Sequence, residues 1–281
     1  MTKWKIVVDS GCDLPQLEER SAELAFVRVP LTITVADQVF VDSEDLDIDQ
    51  MMAAMAASKE AAQSACPSPQ AYREAYEDAE NILVLTITGG LSGSFNAARV
   101  AREMLLEDKP EVNIYLLDTL SAGGEIDLLV LEAARLIQEV GEFEGVVEGI
   151  RDYQSHTKLL FVLSKIDNLV KNGRVSKLLG HMVGLLNIRM VGEASDEGKL
   201  ELLHRPRGHK KSLQAVQTEL EKNGYQGGRM VLAHRKNDKF CQDLIAQIQK
   251  EYPQADIRVL PTSGLCSFYG EEGGILLGYE C

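Results

Sequence analysis

Three short apolar runs, Ile6-Val7-Val8, Ile82 to Ile87 and Ile114 to Leu117, are separated by stretches whose apolar positions recur at helical spacing. Strands that are apolar toward both sides must be covered on both faces, and a chain that alternates them with helices meets that condition by building a parallel sheet between two helical layers. The helical segments are Phe95 to Leu106, with Ala97, Ala101, Met104 and Leu105 on one side, and the strongly apolar Leu128 to Val140. Shorter helices are expected at Met51 to Ala57 and Tyr72 to Ala79, and a further strand over Phe26 to Thr34. Ile6-Val7-Val8 leads directly into Asp9-Ser10-Gly11-Cys12-Asp13, a polar turn at a strand end, where open α/β sheets place their ligands.

From about Leu159 the pattern changes. A strand is expected at Leu159 to Leu163, a short helix near Lys165 to Val170, and a glycine-containing loop at Asn172-Gly173-Arg174-Val175-Ser176. Asn187 to Glu193 and Lys199 to His204 flank Ser195-Asp196-Glu197-Gly198, which is turn chemistry, so the pair reads as a hairpin. Helices at Lys211 to Asn223 and Lys239 to Tyr252 alternate with strands at Met230 to His234, Asp256 to Pro261 and Gly274 to Tyr279. A chain of 281 residues has room for two units of ordinary size. The expected fold is α/β: an N-terminal three-layer α/β/α domain with a mainly parallel sheet over residues 1-157, and a smaller C-terminal α/β (α+β) domain over 158-281.

With 45% hydrophobic and 26% charged residues the chain has the composition of an ordinary globular protein. Its formal charge of -14 repels phosphate backbones and anionic head groups, which disfavours a nucleic-acid role. Against that background Arg205-Pro206-Arg207-Gly208-His209-Lys210-Lys211 is a local basic knot, either a solvated turn opening a helix or a docking site for an acidic partner. Five cysteines, odd in number and never spaced Cys-x-x-Cys, argue against a disulfide framework or a zinc site. His204 and His209 lie in the basic segment, which would repel a cation, so they are expected to be solvated. No metal and no cofactor is expected. Met1-Thr2-Lys3-Trp4-Lys5 is too short for the apolar core of a signal peptide, and no membrane-spanning run is present, so the expected location is cytoplasmic.

The most informative local feature is Thr86-Ile87-Thr88-Gly89-Gly90-Leu91-Ser92-Gly93-Ser94, a strand end, a glycine-rich turn crowded with hydroxyls, and then a helix. Amide groups and the positive end of the helix dipole suit such a turn to an anion, phosphate or carboxylate. It ends in neither Gly-Lys-Ser nor Gly-Lys-Thr, lacks Gly-x-Gly-x-x-Gly, and misses the Gly-x-Ser-x-Gly elbow at its last position. Ser92 or Ser94 could equally cap the helix and nothing more. A small-molecule hydrolase or phosphotransferase using the Gly89 to Ser94 turn as an anion site is one reading, although the sequence offers no base or metal beside Ser92. Ser64, Cys66 and Ser68 lie in a proline-broken loop where a hydroxyl can face a cleft.

Taken in order, several segments resemble the DegV family of fatty-acid-binding proteins. They are Lys5-Ile6-Val7-Val8-Asp9-Ser10, Pro30-Leu31, Ser64-Ala65-Cys66-Pro67-Ser68-Pro69 where the family has Thr-Ser-Gln-Pro-Ser, and Gly90-Leu91-Ser92-Gly93-Ser94-Phe95 for its Leu-Ser-Gly-Thr-Tyr turn. Asp118-Thr119 with Ser121-Ala122-Gly123-Gly124, and Gly173-Arg174-Val175-Ser176 for Gly-Arg-Ile-Ser, complete a match that runs nearly end to end. The resemblance implies a long-chain fatty acid buried mainly in the C-terminal domain, with its carboxylate at the domain interface. It implies carboxylate binding by Ser64, Ser92 and Gly93, with Arg174 and Ser94 near the head group. It also implies a separate ATP-dependent fatty acid kinase as partner, which makes an acyl phosphate for phospholipid synthesis, so that this chain is not itself an enzyme.

The family's C-terminal histidine ahead of a Gly-Pro-Gly segment has no counterpart in Ser267-Phe268-Tyr269-Gly270-Glu271-Glu272-Gly273-Gly274. Alignment puts Tyr269 near the missing imidazole, and a phenol can donate a hydrogen bond to a carboxylate but cannot carry positive charge at neutral pH. Apolar side chains expected to line a tunnel are Phe161, Leu163, Ile166, Leu169, Leu178, Leu185, Ile188 and Phe268.

Overall fold

A computed structural model describes residues 2–17, 23–175 and 187–281. Along the first half it runs β1 (Thr2–Asp9), β2 (Leu24–Val29), β3 (Thr32–Val35), β4 (Gln38–Val41), α1 (Ile48–Ala57), β5 (Gln63–Ala65), α2 (Pro69–Ala75), β6 (Ala79–Thr86), α3 (Ser94–Asp108), β7 (Asn113–Asp118), α4 (Gly124–Glu139) and α5 (Phe143–Gln154). The described part of the second half runs β8 (Thr157–Leu163), α6 (Asp167–Lys171), β9 (Met190–Ala194), β10 (Leu200–His204), α7 (His209–Lys222), β11 (Met230–His234), α8 (Asp238–Glu251), β12 (Ile257–Pro261), α9 (Gly264–Gly270) and β13 (Ile275–Glu280).

The apolar runs form a parallel sheet in the order β2-β1-β6-β7. Side chains alternate across it. Ile6, Val8, Leu83 and Leu85 pack with Ile126 and Leu129 of α4 and Val146 and Ile150 of α5, whereas Val7, Ile82 and Val84 pack with Tyr72, Ala97, Ala98 and Leu105 of α2 and α3. Each fully buried aliphatic side chain of this kind contributes about 1.5–3 kcal/mol, so both helical layers are held by the same strands. The chain order reverses between β1 and β6, and Asp9 ends the first of these strands.

The second sheet is mixed, in the order β10-β9-β8-β13-β11-β12, with only β11 and β12 parallel among its pairings. Leu160 and Val162 of β8 pack toward Leu213, Val216, Phe240 and Leu244 of α7 and α8, which leaves Leu159, Phe161 and Leu163 on the opposite face. That face meets the first half. A Cβ at Gly124 would lie 2.6 Å from the Val231 carbonyl oxygen and 2.7 Å from that of Leu276, so glycine lets the start of α4 rest on β11 and β13. In return, α9 sends Leu265 into the core of the parallel sheet and Phe268 against Ile33, Val35, Met51 and Ala62.

Three features differ from the sequence expectation. The strand expected over Phe26 to Thr34 is broken at Pro30, which has no N–H to give a ladder; β3 instead pairs antiparallel with β4 and β5 in a separate three-stranded sheet. The helix expected to reach Ala79 ends at Ala75, because Asp78 adopts φ 62° and turns the chain into β6. His204 and His209 are not simply solvated: their Nε2 atoms meet Glu219 at 2.6 Å and Asp243 at 2.9 Å. The helices α5 and α9 and the strands β4 and β5 are additions to the sequence reading.

Candidate functional site

Where the bare face of the second sheet meets the carboxyl ends of the first, a cavity of about 280 Å³ remains. Its wall is overwhelmingly apolar: Leu159, Phe161 and Leu163 from β8, Leu200 from β10, Leu276 from β13, Leu169 from α6, Leu265 from α9, and Leu31 and Ile87 from strand ends of the first half. Strand alternation explains the trio from β8, since residues at i, i+2 and i+4 share a face. Polar groups enter the lining from four places: Ser64 beside Ala65 and Cys66, the Ser92-Gly93 turn, Tyr269 of α9, and Arg174 in the loop after α6.

These groups are built by contacts far apart in sequence. Ser64, in β5, and Tyr269 share a hydrogen bond of 2.7 Å between their hydroxyls. Tyr269 is placed by the buried carboxyls that hold the start of α9: Asp42 accepts from the amides of Gly264 and Leu265 at 2.7 Å each, and Asp13 accepts from Ser263 at 2.7 Å. Arg174 donates from Nε to the Leu91 carbonyl at 3.0 Å, which ties the loop after α6 to the serine turn. Gly93 sits close to the Cys66 side chain: a Cβ there would lie 2.9 Å from the sulfur, and the exposed thiol would have to turn aside.

Five of the six head-group candidates, Ser64, Ser92, Gly93, Arg174 and Tyr269, line the one cavity. Ser94 stands behind it, fully buried, with its Oγ 2.9 Å from that of Ser92. Phe161, Leu163 and Leu169 line the cavity, while Ile166 packs beside them, Ile188 bridges to Arg207, and Phe268 is core of the small sheet. Leu178, Leu185 and Ser176 lie outside the described residues. Leu31, Ile87, Leu91, Ala122, Leu159, Leu200, Leu265 and Leu276 join the lining without having been singled out from sequence. For those on strands the signal was the face they share with Phe161.

Five of the six amides of the Gly89 to Ser94 turn are already engaged and do not face a phosphate. Gly89 N–H is taken by the Asp118 carboxyl at 3.1 Å, Gly90 by Thr88 Oγ1 at 3.0 Å, Leu91 and Ser92 by the Thr88 carbonyl at 3.1 Å, and Ser94 by Ser92 Oγ at 3.2 Å. Asp118 would moreover repel a dianion. Among the described residues no group of three or more His, Cys, Asp or Glu side chains is arranged to hold a metal ion, and no described helix is long and apolar enough to cross a membrane.

Behind the polar end lie four buried aspartates. Burial raises Asp9 and Asp13 to about 6, and it also raises Asp42. Asp127 is pushed up by burial and by the neighbouring Asp13 charge, and it accepts from the amides of Asp13 at 2.7 Å and Leu14 at 3.1 Å.

Comparison with known proteins follows the same lines. The profile of a family described as an uncharacterised protein, DegV family, matches residues 3–279. A DegV domain-containing protein of Streptococcus pneumoniae is 61% identical over 277 residues, 99% of each chain. The crystal structure of the Streptococcus pneumoniae fatty acid kinase B3 protein loaded with linoleic acid superposes with a TM-score of 0.98 at 60% identity, covering 99% of both chains. That of a Eubacterium eligens DegV family protein loaded with heptadecanoic acid gives 0.94 at 35% identity, again over 99% of both. A match that spans all but the ends of the chain, with relatives this similar over their whole length, places the protein in the DegV family.

Proposed function

We propose that the cavity holds the acyl chain of one long-chain fatty acid, that Ser64, Ser92, Gly93 and Tyr269 bind its carboxylate with Arg174 and Ser94 close to the head group, and that a separate ATP-dependent kinase acts on the carboxylate presented there. On this reading residues 1-157 supply the hydroxyl turns, 158-281 supply most of the apolar wall, and the protein performs no covalent chemistry alone. The observation that carries it is the division of the cavity: apolar along its length, with neutral hydroxyls gathered where the two sheets meet. The described lining offers no residue pair suited to hydrolysis, and the solved relatives loaded with linoleic and heptadecanoic acids match this chain over nearly its whole length.

The energetics divide in the same way. At about 0.8 kcal/mol per buried methylene, a chain of about sixteen carbons gains on the order of 12 kcal/mol before ordering costs. A hydrogen bond to the charged carboxylate adds only about 1.5–3 kcal/mol. The wall sets affinity and the hydroxyls set direction. Protein purified without detergent is therefore expected to yield a stoichiometric fatty acid on solvent extraction and mass spectrometry, and an extract free of acyl species would count against the proposal.

Ser92→Ala is expected to weaken binding of a fatty acid about ten- to a hundredfold while leaving its methyl ester nearly unaffected, because only the charged head group loses a donor. Equal affinities of wild type and variant for the acid would remove Ser92 from the site.

A further inference from the structure

The small sheet β4-β3-β5 is packed on one face only. Phe40 of β4 and Ile33 of β3 turn inward against Met51 and Phe268, whereas Val39 and Val41 are 63% and 45% exposed. β4 is also an edge strand. Asp42 donates its amide to the Leu31 carbonyl at 2.9 Å, so the hydrogen-bonded pairs of this antiparallel ladder are Leu31–Asp42, Ile33–Phe40 and Val35–Gln38. The backbone of the two exposed valines therefore points away from β3; the Val41 carbonyl takes the Ser43 amide at 2.8 Å, and both groups of Val39 and the Val41 amide face outward along the open edge.

The register carries this face to the cavity. Val39 stands opposite Thr34, and Thr34 opposite Gln63; Val41 stands opposite Thr32, and Thr32 opposite Ala65. Gln63 and Ala65 are exposed as well, and Ala65 lines the cavity beside Ser64. Two strand spacings, roughly 10 Å, span the distance from Val41 to Ala65. The charge around the edge has one sign: residues 29–58 contain six carboxylates and no lysine or arginine. Asp42 is buried against the start of α9, Asp47 caps α1, and Asp49 pairs with Arg235 and Lys236. Asp37 at the start of β4, and Glu44 and Asp45 beyond its end, are exposed and form no salt bridge among the described residues.

We propose that the open face and edge of β4 are the docking surface for the separate kinase, which lays a strand-like segment along it with apolar side chains over Val39 and Val41 and lysine or arginine side chains toward Asp37, Glu44 and Asp45. This deepens the kinase reading and rests on it. An enzyme that moves the γ-phosphoryl group of ATP onto a carboxylate oxygen, releasing ADP, has to sit against the mouth where that carboxylate lies, and this surface ends there. An open edge offers backbone partners to an added strand, and the two valines give it an apolar anchor. The acidic rim steers a basic partner and repels a second copy of this chain or an anionic membrane.

The test follows acyl phosphate formation from linoleic acid bound to the full-length protein, with ATP and the fatty acid kinase of Streptococcus pneumoniae as the probe, over a range of loaded-protein concentrations. Val39→Lys with Val41→Lys is expected to raise the KM for the loaded protein about tenfold, with kcat within about twofold and linoleic acid binding unchanged. Glu44→Gln with Asp45→Asn is expected to raise KM about threefold at low salt and to weaken its dependence on ionic strength. A wild-type KM in the folded Val39→Lys, Val41→Lys protein overturns the proposal, as does loss of linoleic acid binding in that variant, which would make the valines part of the fold or of the lipid site. A wild-type dimer that the same substitutions dissociate overturns it too, by giving the edge to a second copy. Wild-type protein that binds linoleic acid but is not phosphorylated instead overturns the kinase reading, and wild-type protein that binds none overturns the fatty-acid reading beneath both.

Discussion

Ala122→Trp is expected to lower affinity for a long-chain fatty acid and for its methyl ester alike, by about three orders of magnitude. Ala122 lines the cavity from the turn that leads into α4, so an indole there would take space that the ligand needs without removing any polar contact. Excluding about six methylenes at about 0.8 kcal/mol each forfeits on the order of 5 kcal/mol, which is the stated factor. The polar end should remain intact, with the Ser64–Tyr269 and Ser92–Ser94 hydrogen bonds in place, so the loss should be indifferent to the charge of the head group. That indifference separates it from Ser92→Ala. The measurement is equilibrium binding of both ligands, with circular dichroism to establish that the variant is folded. Wild-type affinity in a folded Ala122→Trp protein would mean that the acyl chain lies elsewhere.

How the cavity was legible, and how far, follows from the kind of signal each residue carries. The parallel sheet could be read because Ile6-Val7-Val8 and Ile82 to Ile87 are apolar toward both faces, a pattern with few structural solutions. The same property hides which face of β8 is which: Leu159 to Leu163 is apolar throughout, yet only its odd-numbered members meet the cavity. Ser64 and Tyr269 are 205 residues apart and meet through a three-residue strand and a seven-residue helix, elements too short to show a period. Ser64 stood out only as a hydroxyl in a proline-broken loop, and Tyr269 only through the alignment of a family pattern that lacks its histidine here. Asp9 and Asp13 showed in sequence merely as polar residues in a turn after a strand. Their burial depends on α2, α4 and α9 closing over them, which no local pattern encodes.

That burial makes the second large effect one of pH. Asp9 and Asp13 are raised to about 6, Asp42 and Glu125 are also raised, and Asp127 stands well above its usual range, in each case chiefly by desolvation. A raised carboxyl holds its proton in the folded protein where the unfolded chain has released it. The folded state therefore binds more protons between the ordinary carboxylate range and about pH 6, and stability falls as pH rises through that window. For Asp9 the shift of about two pH units corresponds to about 3 kcal/mol, at full burial. The net charge of -14 acts in the same direction as the remaining carboxyls ionise. Opposing groups act lower. Glu132, Glu219 and Glu280 are drawn down by Arg135, His204 and Arg229 among their partners, against their own burial, and their contribution is lost only as pH drops below the ordinary glutamate range. Maximum stability is accordingly expected between about pH 4 and 5, where the ordinary aspartate and glutamate ranges meet, and urea unfolding should show a higher midpoint at pH 5 than at pH 7.5. Asp13→Asn isolates the cause. Asp13 Oδ1 accepts from Ser263, whereas Oδ2 has no N–H or O–H partner, so an amide can keep the useful acceptor and discard the charge that faces Asp127. The variant should be more stable than wild type at pH 7.5 and should flatten the profile between the two pH values; a wild-type profile in Asp13→Asn would show that this carboxyl does not bind a proton on folding.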